Sequence, residues 1–429
     1  LKKVLIISPY FPPVNAADMH RVRTSLPYFN EFGWAAEVVT IDTAFTDVVT
    51  DELLLKSIPT KVKIHKIKAL NKSTTSKVGL GSIALRSLWY YFNYVNRLLK
   101  QTHFDLIYFS TTQFPVCCLG AYWKKKFKIP YVIDMQDPWH SEYYQDKPKA
   151  QQPKKYWFSY RLNKLLEPIA LKYVDGLISV SDDYIKDLKT RYPQINHVPS
   201  FTITFGMFAP DLNIALQAQN TLESLLEPAY LNVVYVGRGG TDMHKAIEPV
   251  FKALSDDLAY QRNDFERLRL YFIGTSYAPV GKGTPTITPF AQKFGIADKV
   301  IEITDRLSYY HSLATLLMAD ALFIPGSDDA RYTASKIYPY LLTKKPLLAI
   351  FNQKSSALGI LKEFDIKTAY SYETVSQNNI TSFLNGIIQK SIAENIIPDA
   401  VLDKHSARAK TQTQCDLFDE VISLNFRKK

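Results

Sequence analysis

LNVVYVGRGGTDMHKAI, residues 231–247, runs from a β-branched segment through a glycine-rich turn into the opening of a helix. Val233 to Val236 suit a strand, the glycines break it, and amphipathic spacing resumes near Lys245. The same texture repeats in both directions. Downstream stand LRLYFIG (268–274), KVIEI (299–303), ALFIPG (321–326) and LLAIF (347–351). Upstream stand VLIIS (4–8), AEVVTI (36–41), KVKIHKI (61–67), LIYFS (106–110), YVIDM (131–135) and LISVS (177–181). Helix-length patterns over 20–32, 84–100 and 156–174 separate several of these runs, and strands separated by helices indicate parallel sheet built from βαβ units. The expected fold class is α/β, with two Rossmann-like, doubly wound domains.

Pro193, Pro199, Gly206 and Pro210 concentrate breakers in 193–212, so the expected division is 1–200, 201–405 and a closing helical segment 406–429. A chain of 429 residues has room for two or three such domains. Its 46% hydrophobic and 22% charged residues exclude a disordered tail, a collagen and a coiled coil. No apolar run approaches the roughly 18–20 residues that span a bilayer. The three cysteines, with Cys117 and Cys118 adjacent, cannot form a disulfide framework, which implies a reducing compartment and a cytoplasmic protein.

Charge is uneven along the chain. Residues 1–200 carry 28 basic and 17 acidic side chains, the whole of the net +11, while residues 201–429 carry 24 of each. A large anionic partner would therefore meet the first half: nucleic acid, anionic lipid or a phosphorylated substrate. No RNA- or DNA-binding module accompanies the charge, so no nucleic-acid partner is expected. On 85–100, Leu85, Leu88, Trp89, Phe92, Val95 and Leu99 form an apolar stripe, with Arg86, Asn93, Arg97 and Lys100 on the other side. Packing on the sheet accounts for one such stripe. The surplus of aromatic residues there and at Tyr156-Trp157-Phe158, beside lysines at 124–128 and 147–155, fits an anionic membrane surface.

Ligands of doubly wound sheets bind at the carboxyl ends of the strands. After the first strand, Asn15-Ala16-Ala17 permits close approach to the backbone and His20 opens a helical stretch. After YVIDM, Asp137 is suited to accept hydrogen bonds from a polyol and Trp139 to offer a stacking face. His140 is a lone loop histidine, a type ordinarily solvated. In the second half, Gly237 and Gly239 let a phosphate approach the backbone, and Arg238 adds a bidentate donor. Past ALFIPG, Tyr332, Thr333, Ser335 and Lys336 supply hydroxyls, amides and an ammonium before a helix, as a diphosphate requires. Plainer readings exist for each: an ordered loop, a tight turn, helix N-capping by Thr333 or Ser335. The chain contains no H-E-x-x-H, paired C-x-x-C, G-x-S-x-G, Walker A or Asp-x-Asp sequence, so no metal ligands and no cofactor are expected.

In order and spacing, VLIISPYFPPVNAADMHRVRTSLPYFNEFGWAAEVVT, YVIDMQDPW, DGLISVSDDYIKDLKTRYP, VVYVGRGG, DRLSYYHSLATLLMADALFIPGS and TASKIYPYLLTKKPLLA resemble GT-B glycosyltransferases, most of all glycosyltransferase family 4. The resemblance spans nearly the whole chain. It implies two domains facing an interdomain cleft, with a nucleotide-sugar donor on the C-terminal domain and a glycan, lipid-linked or protein-linked acceptor on the N-terminal one. It further implies retaining, metal-independent hexosyl transfer in polysaccharide or other glycan synthesis, and a final helix crossing back to the first domain over 411–424.

Carried over by position, Arg238 matches the family's diphosphate-binding arginine. The companion lysine falls at Lys245, one past its usual place, which His244 occupies. Arg306 and Leu307 match the loop that reads the nucleobase, and Ser335-Lys336 a Ser-Lys ahead of the diphosphate helix. Asp137, His20 and Asn15 are the candidates for orienting the transferred sugar or acceptor. The family's Glu-x7-Glu pair is absent: Arg331 and Pro339 stand in its place, with Asp328 and Asp329 slightly earlier. That departure keeps open a catalytically silent GT-B-like binding or scaffold protein. A nucleotide-sugar epimerase of similar fold is the other alternative.

Overall fold

The computed structural model describes residues 1–75, 81–140, 142, 145, 149, 156–260, 265–329 and 337–427. Two compact units divide the chain: Leu1–Gly206 together with Ser406–Lys429, and Met207–His405.

Among the described residues the first unit holds seven strands: β1 (Lys2–Ile7), β2 (Trp34–Ile41), β3 (Lys63–Ile67), β4 (Leu106–Ser110), β5 (Tyr131–Met135), β6 (Gly176–Ser179) and β7 (Ser200–Thr202). All pair parallel, in the order β3-β2-β1-β4-β5-β6-β7. The second holds β8 (Leu231–Val236), β9 (Leu268–Ile273), β10 (Val300–Ile303), β11 (Ala321–Pro325), β12 (Leu347–Phe351) and β13 (Ala369–Ser371). These too are all parallel, in the order β10-β9-β8-β11-β12-β13. Strand order reverses between β1 and β4 and again between β8 and β11. At such a point the connections leave toward opposite faces and open a crevice at the carboxyl edge.

Helices α1 (His20–Ser25), α2 (Ile83–Gln101), α3 (Cys118–Phe127), α4 (Tyr156–Leu171) and α5 (Asp182–Arg191) belong to the first unit, as does the C-terminal helix Ala407–Arg427. The period-2 alternation of β1 divides its side chains between two cores. Leu5 and Ile7 join Tyr91 and Val95 of α2, while Val4 and Ile6 join Leu417, Phe418 and Val421 of the C-terminal helix. That helix is fastened by Phe418, whose ring meets Trp34 edge-on at 5.4 Å, and by Trp34 Nε1 donating to Asp419 Oδ1 at 3.0 Å. In the second unit α6 (His244–Ala259) follows β8.

Two sequence expectations fail here for local reasons. The helix expected over 20–32 stops at Ser25: Leu26 keeps helical angles and donates to Val22 O, but Pro27 has no N–H with which to extend the ladder, and Phe29–Phe32 forms a separate 3₁₀ turn. On α2, Arg86 was expected on the polar side but is buried: its guanidinium donates to Leu70 O at 2.6 Å and Phe45 O at 3.1 Å. The buried face is correspondingly rotated, and Trp89 of the expected stripe is 66% exposed.

Candidate functional site

In each unit one aspartate spans the strand-order reversal. In the first, Asp18 from the β1 loop accepts at Oδ2 from Thr111 Oγ1 at 3.0 Å, Thr112 N at 3.1 Å and Thr112 Oγ1 at 3.2 Å, all after β4. Burial raises the Asp18 carboxyl above its ordinary pKa by more than these hydrogen bonds lower it. Gln136, after β5, donates to Asp18 O at 3.1 Å and so ties the β5 loop to the β1 loop. The expected Asn15 and Asp137 therefore stand on two loops joined at the carboxyl edge, and His20 opens α1 just after the first of them. Asn15 is half-buried, and His20 Nδ1 lies 3.1 Å and 3.3 Å from two nitrogens of Arg23. Asp137 is exposed as a residue, yet desolvation of its carboxyl, with the Asp18 charge in support, raises its pKa.

Beneath this edge lies a fully buried ion pair. Arg21 Nε is 2.7 Å from Asp134 Oδ2, with the two side chains 2% and 0% exposed. Ser110 Oγ and Gln136 Nε2 each donate to the same oxygen at 2.9 Å, and Arg21 Nη2 donates to Ile203 O at 2.6 Å. Arg21, Asp134 and Asp18 were not foreseen as site residues. Each is an ordinary charged residue in sequence, and only the strand order brings the three together.

A cavity of about 320 Å³ opens beside Asp137, between α2, α4 and the loop after β4. Leu85, Phe114, Trp139 and Leu162 give it apolar walls, and Thr112, Gln113, Asp137 and Asn163 line it with polar groups. Trp139 does not offer the free stacking face expected of it. Its ring is buried, stacked on Phe114 at 5.3 Å, and its Nε1 donates to Asn163 Oδ1 at 3.1 Å.

His140 is not solvated either. It is 4% exposed, and among the described residues neither ring nitrogen has a hydrogen-bond partner. Burial, with the Arg191 charge in support, lowers its pKa despite Glu167 and Glu142. A histidine with a depressed folded pKa binds protons less readily folded than unfolded, so its penalty is absent above the unfolded pKa of about 6.5 and grows as pH falls below it. His140→Leu is accordingly expected to flatten the loss of stability below pH 6.5 relative to the parent. Urea unfolding at a series of pH values measures this, and parallel curves for the two proteins would contradict it.

In the second unit, Asp242 spans the reversal. Arg238 donates from Nη1 to Asp242 Oδ1 at 3.1 Å and from Nη2 to Oδ2 at 2.5 Å. From the β11 loop, Ser327 Oγ donates to Oδ2 at 2.5 Å, and Asp328 N donates to Asp242 O at 2.9 Å. Burial pushes the Asp242 carboxyl up, but the hydrogen bonds from Arg238 and Ser327 and the Arg238 charge outweigh it and hold the pKa below the ordinary range. The turn needs its glycines. A Cβ on Gly239 would meet Thr275 Cβ at 2.8 Å and Thr286 Oγ1 at 2.9 Å, and Gly240 has φ 155° with the Asp242 carboxylate against it. Gly237 N and Gly239 N donate to Ile273 O and Thr275 O at 2.8 and 2.7 Å, which fastens the turn to the edge of β9.

The other expected donor-site groups fall along the same edge. Lys245 is exposed on α6, its Nζ 4.8 Å from the Tyr372 ring centre. Burial, then the Asp328 and Asp242 charges, push Tyr372 up to about 12, so it stays neutral. The Arg306 guanidinium lies over Tyr277 at 4.5 Å, while Leu307 is half-buried against the core. Tyr332, Thr333, Ser335, Lys336 and Arg331 lie outside the described residues. Asp328 and Asp329 are exposed, and Pro339 lies in the helix Ile337–Leu342. Sequence reasoning missed Asp242, although it stands four residues after Arg238 at the spacing of a helical ion pair.

No protein-family model and no curated protein matches the chain by sequence. Solved structures match it over nearly its whole length. The N-terminal domain of Candida albicans trehalose-6-phosphate phosphatase shares 12% identity with a TM-score of 0.57, covering 98% of this chain and 97% of that one. The α,α-trehalose-phosphate synthase (UDP-forming) from Burkholderia xenovorans, in complex with glucose-6-phosphate, shares 10% with a TM-score of 0.57, covering 97% and 99%. WaaG, a glycosyltransferase involved in lipopolysaccharide biosynthesis, shares 13% with a TM-score of 0.51, covering 98% and 99%. The chain has the two-domain GT-B fold.

Proposed function

We propose that the chain is a retaining, metal-independent glycosyltransferase that moves a hexosyl group from a nucleotide-sugar to a glycan, lipid-linked or protein-linked acceptor. The observation that carries this reading is the Gly-Arg-Gly-Gly turn at the strand-order reversal of the second sheet. There an arginine, a glycine-rich turn and the start of a sixteen-residue helix meet in a GT-B fold. Trehalose-phosphate synthase is described as UDP-forming and WaaG as acting in lipopolysaccharide biosynthesis, which supports a nucleotide-sugar donor and a surface glycan as product.

The chemistry asked of the protein is modest. In same-face transfer the leaving diphosphate accepts the proton of the attacking hydroxyl, so the protein must orient the two substrates and stabilise the charge growing on the diphosphate. Arg238 and Lys245, with the start of α6, serve the second task. Asp137, which lines the first unit's cavity, and His20 and Asn15, which follow β1, serve the first. Among the described residues no group of three or more His, Cys, Asp or Glu stands ready to hold a metal ion.

A lipid-linked acceptor and a peripheral site at the inner face of the membrane fit the outer surface of α4. Trp157 is 65% and Leu165 63% exposed, with Ile169 exposed one turn on and Arg161, Lys164 and Lys172 beside them. Trp and Leu beside cations are suited to a headgroup region, where each basic residue contributes about 1 kcal/mol at an anionic surface. Among the described residues no helix is long and apolar enough to cross a membrane. Co-sedimentation with phosphatidylserine-containing vesicles is expected at low salt, weakening at high salt and with Trp157→Ala/Leu165→Ala. Equal binding to neutral vesicles, or none at low salt, would leave a soluble acceptor. The enzymatic reading itself is tested by nucleotide-sugar turnover in excess chelator, in which release of nucleoside diphosphate is expected to persist.

A further inference from the structure

Asp242 places an anion of the chain where the proposed donor site would place the anion of its ligand. Both terminal nitrogens of Arg238 are engaged by the two carboxylate oxygens, in the parallel two-bond geometry that arginine also uses for phosphate. The carboxylate is held from its other side by Ser327, so this pair is anchored to the β11 loop rather than left to swing in solvent. Asp242 also lies in the single turn, Thr241–Met243, that leads into α6, where a helix start favours negative charge. Fork, carboxylate and helix start together form an anion site already filled from within.

We propose that Asp242 is a specificity-determining residue of the donor site: it occupies the Arg238 fork when no ligand is bound, and a phosphate must displace it to gain the arginine. The inference rests on reading Arg238 as a donor-site residue. Displacement breaks two charge-assisted hydrogen bonds and leaves a carboxylate near the incoming phosphate. A diphosphate sets only one of its two phosphoryl groups beside the displaced carboxylate, whereas a monophosphate sets its whole charge there and is repelled more strongly. The pair therefore selects nucleoside diphosphates and their sugar esters over nucleoside monophosphates. Asparagine at 242 keeps the shape and can still accept from Ser327, but it loses the charge that holds and competes for Arg238.

Calorimetric titration of uridine diphosphate and uridine monophosphate into the parent, Asp242→Asn, Arg238→Ala and the double variant decides the matter, with thermal unfolding used to verify that each is folded. Asp242→Asn is expected to bind the diphosphate about tenfold more tightly and the monophosphate with a larger gain, narrowing the ratio between them. Both gains should vanish in the Arg238→Ala background, which a merely structural role of Asp242 would not produce. Should Asp242→Asn prove unfolded, Asp242→Ser, which keeps an acceptor for Ser327, replaces it with the same expectations. If Arg238→Ala weakens the diphosphate but removing the carboxylate brings no gain, the inference is wrong and the donor-site reading stands. If Arg238→Ala leaves both affinities unchanged, the donor-site reading of this arginine falls, and the inference with it.

Discussion

Asp134→Ala is expected to destabilise the first unit by about 3–5 kcal/mol, the cost of leaving a buried charge without its partner. The guanidinium of Arg21 is 2% exposed, and Asp134 Oδ2 is the only carboxylate oxygen the described structure sets against it. Removing that oxygen also deprives Ser110 Oγ and Gln136 Nε2 of their shared acceptor. Replacing both partners with apolar residues, as in Arg21→Met/Asp134→Leu, is expected to recover most of the loss, because buried ion pairs exchange for apolar packing at little net cost. Urea unfolding followed by circular dichroism gives both values. A loss below about 1 kcal/mol for Asp134→Ala would mean that water reaches Arg21 and that the pair does not hold α1 to β5.

The second large effect concerns ligand rather than fold. Arg238→Ala is expected to weaken nucleoside diphosphate binding by about 1.5–3 kcal/mol, the range for a hydrogen bond to a charged group. That corresponds to a change in Kd of roughly tenfold to more than a hundredfold. The residue lies on a turn rather than in the core, so the variant should unfold near the parent's temperature. Calorimetry on the folded variant measures the change, and an unaltered Kd would assign the glycine-rich turn a structural role alone.

Much of this fold was legible because parallel sheets need short, apolar, β-branched strands between helix-length segments, and VLII, LIYFS, VVYV and LLAI are of that kind. Strand order was not legible, since it depends on contacts between distant segments. Thr111 and Asp18 are 93 residues apart and Ser327 and Asp242 are 85 apart, and no local pattern announces either pairing. Periodicity on 85–100 correctly indicated an amphipathic helix but misassigned Arg86, because a guanidinium can be buried when carbonyls such as Leu70 O and Phe45 O receive it. Trp139 was recognised as a site aromatic from its place after a strand. Sequence does not reveal which way such a ring turns, and this one turns inward onto Phe114. The four-residue spacing of Asp242 from Arg238 is the one local signal of their pairing, and a glycine-rich turn between them obscures it.

The central claim is that the second unit binds a nucleotide-sugar without a metal ion. It is tested most directly by thermal unfolding of the full chain in excess EDTA against a panel of nucleoside diphosphates and nucleotide-sugars. A ligand at 100 times its Kd adds about 2.7 kcal/mol to stability. The account predicts a saturable rise in Tm for at least one nucleotide-sugar and for its nucleoside diphosphate, reduced in Arg238→Ala. No rise with any member of the panel, or a rise that appears only when magnesium or manganese is restored, would contradict it.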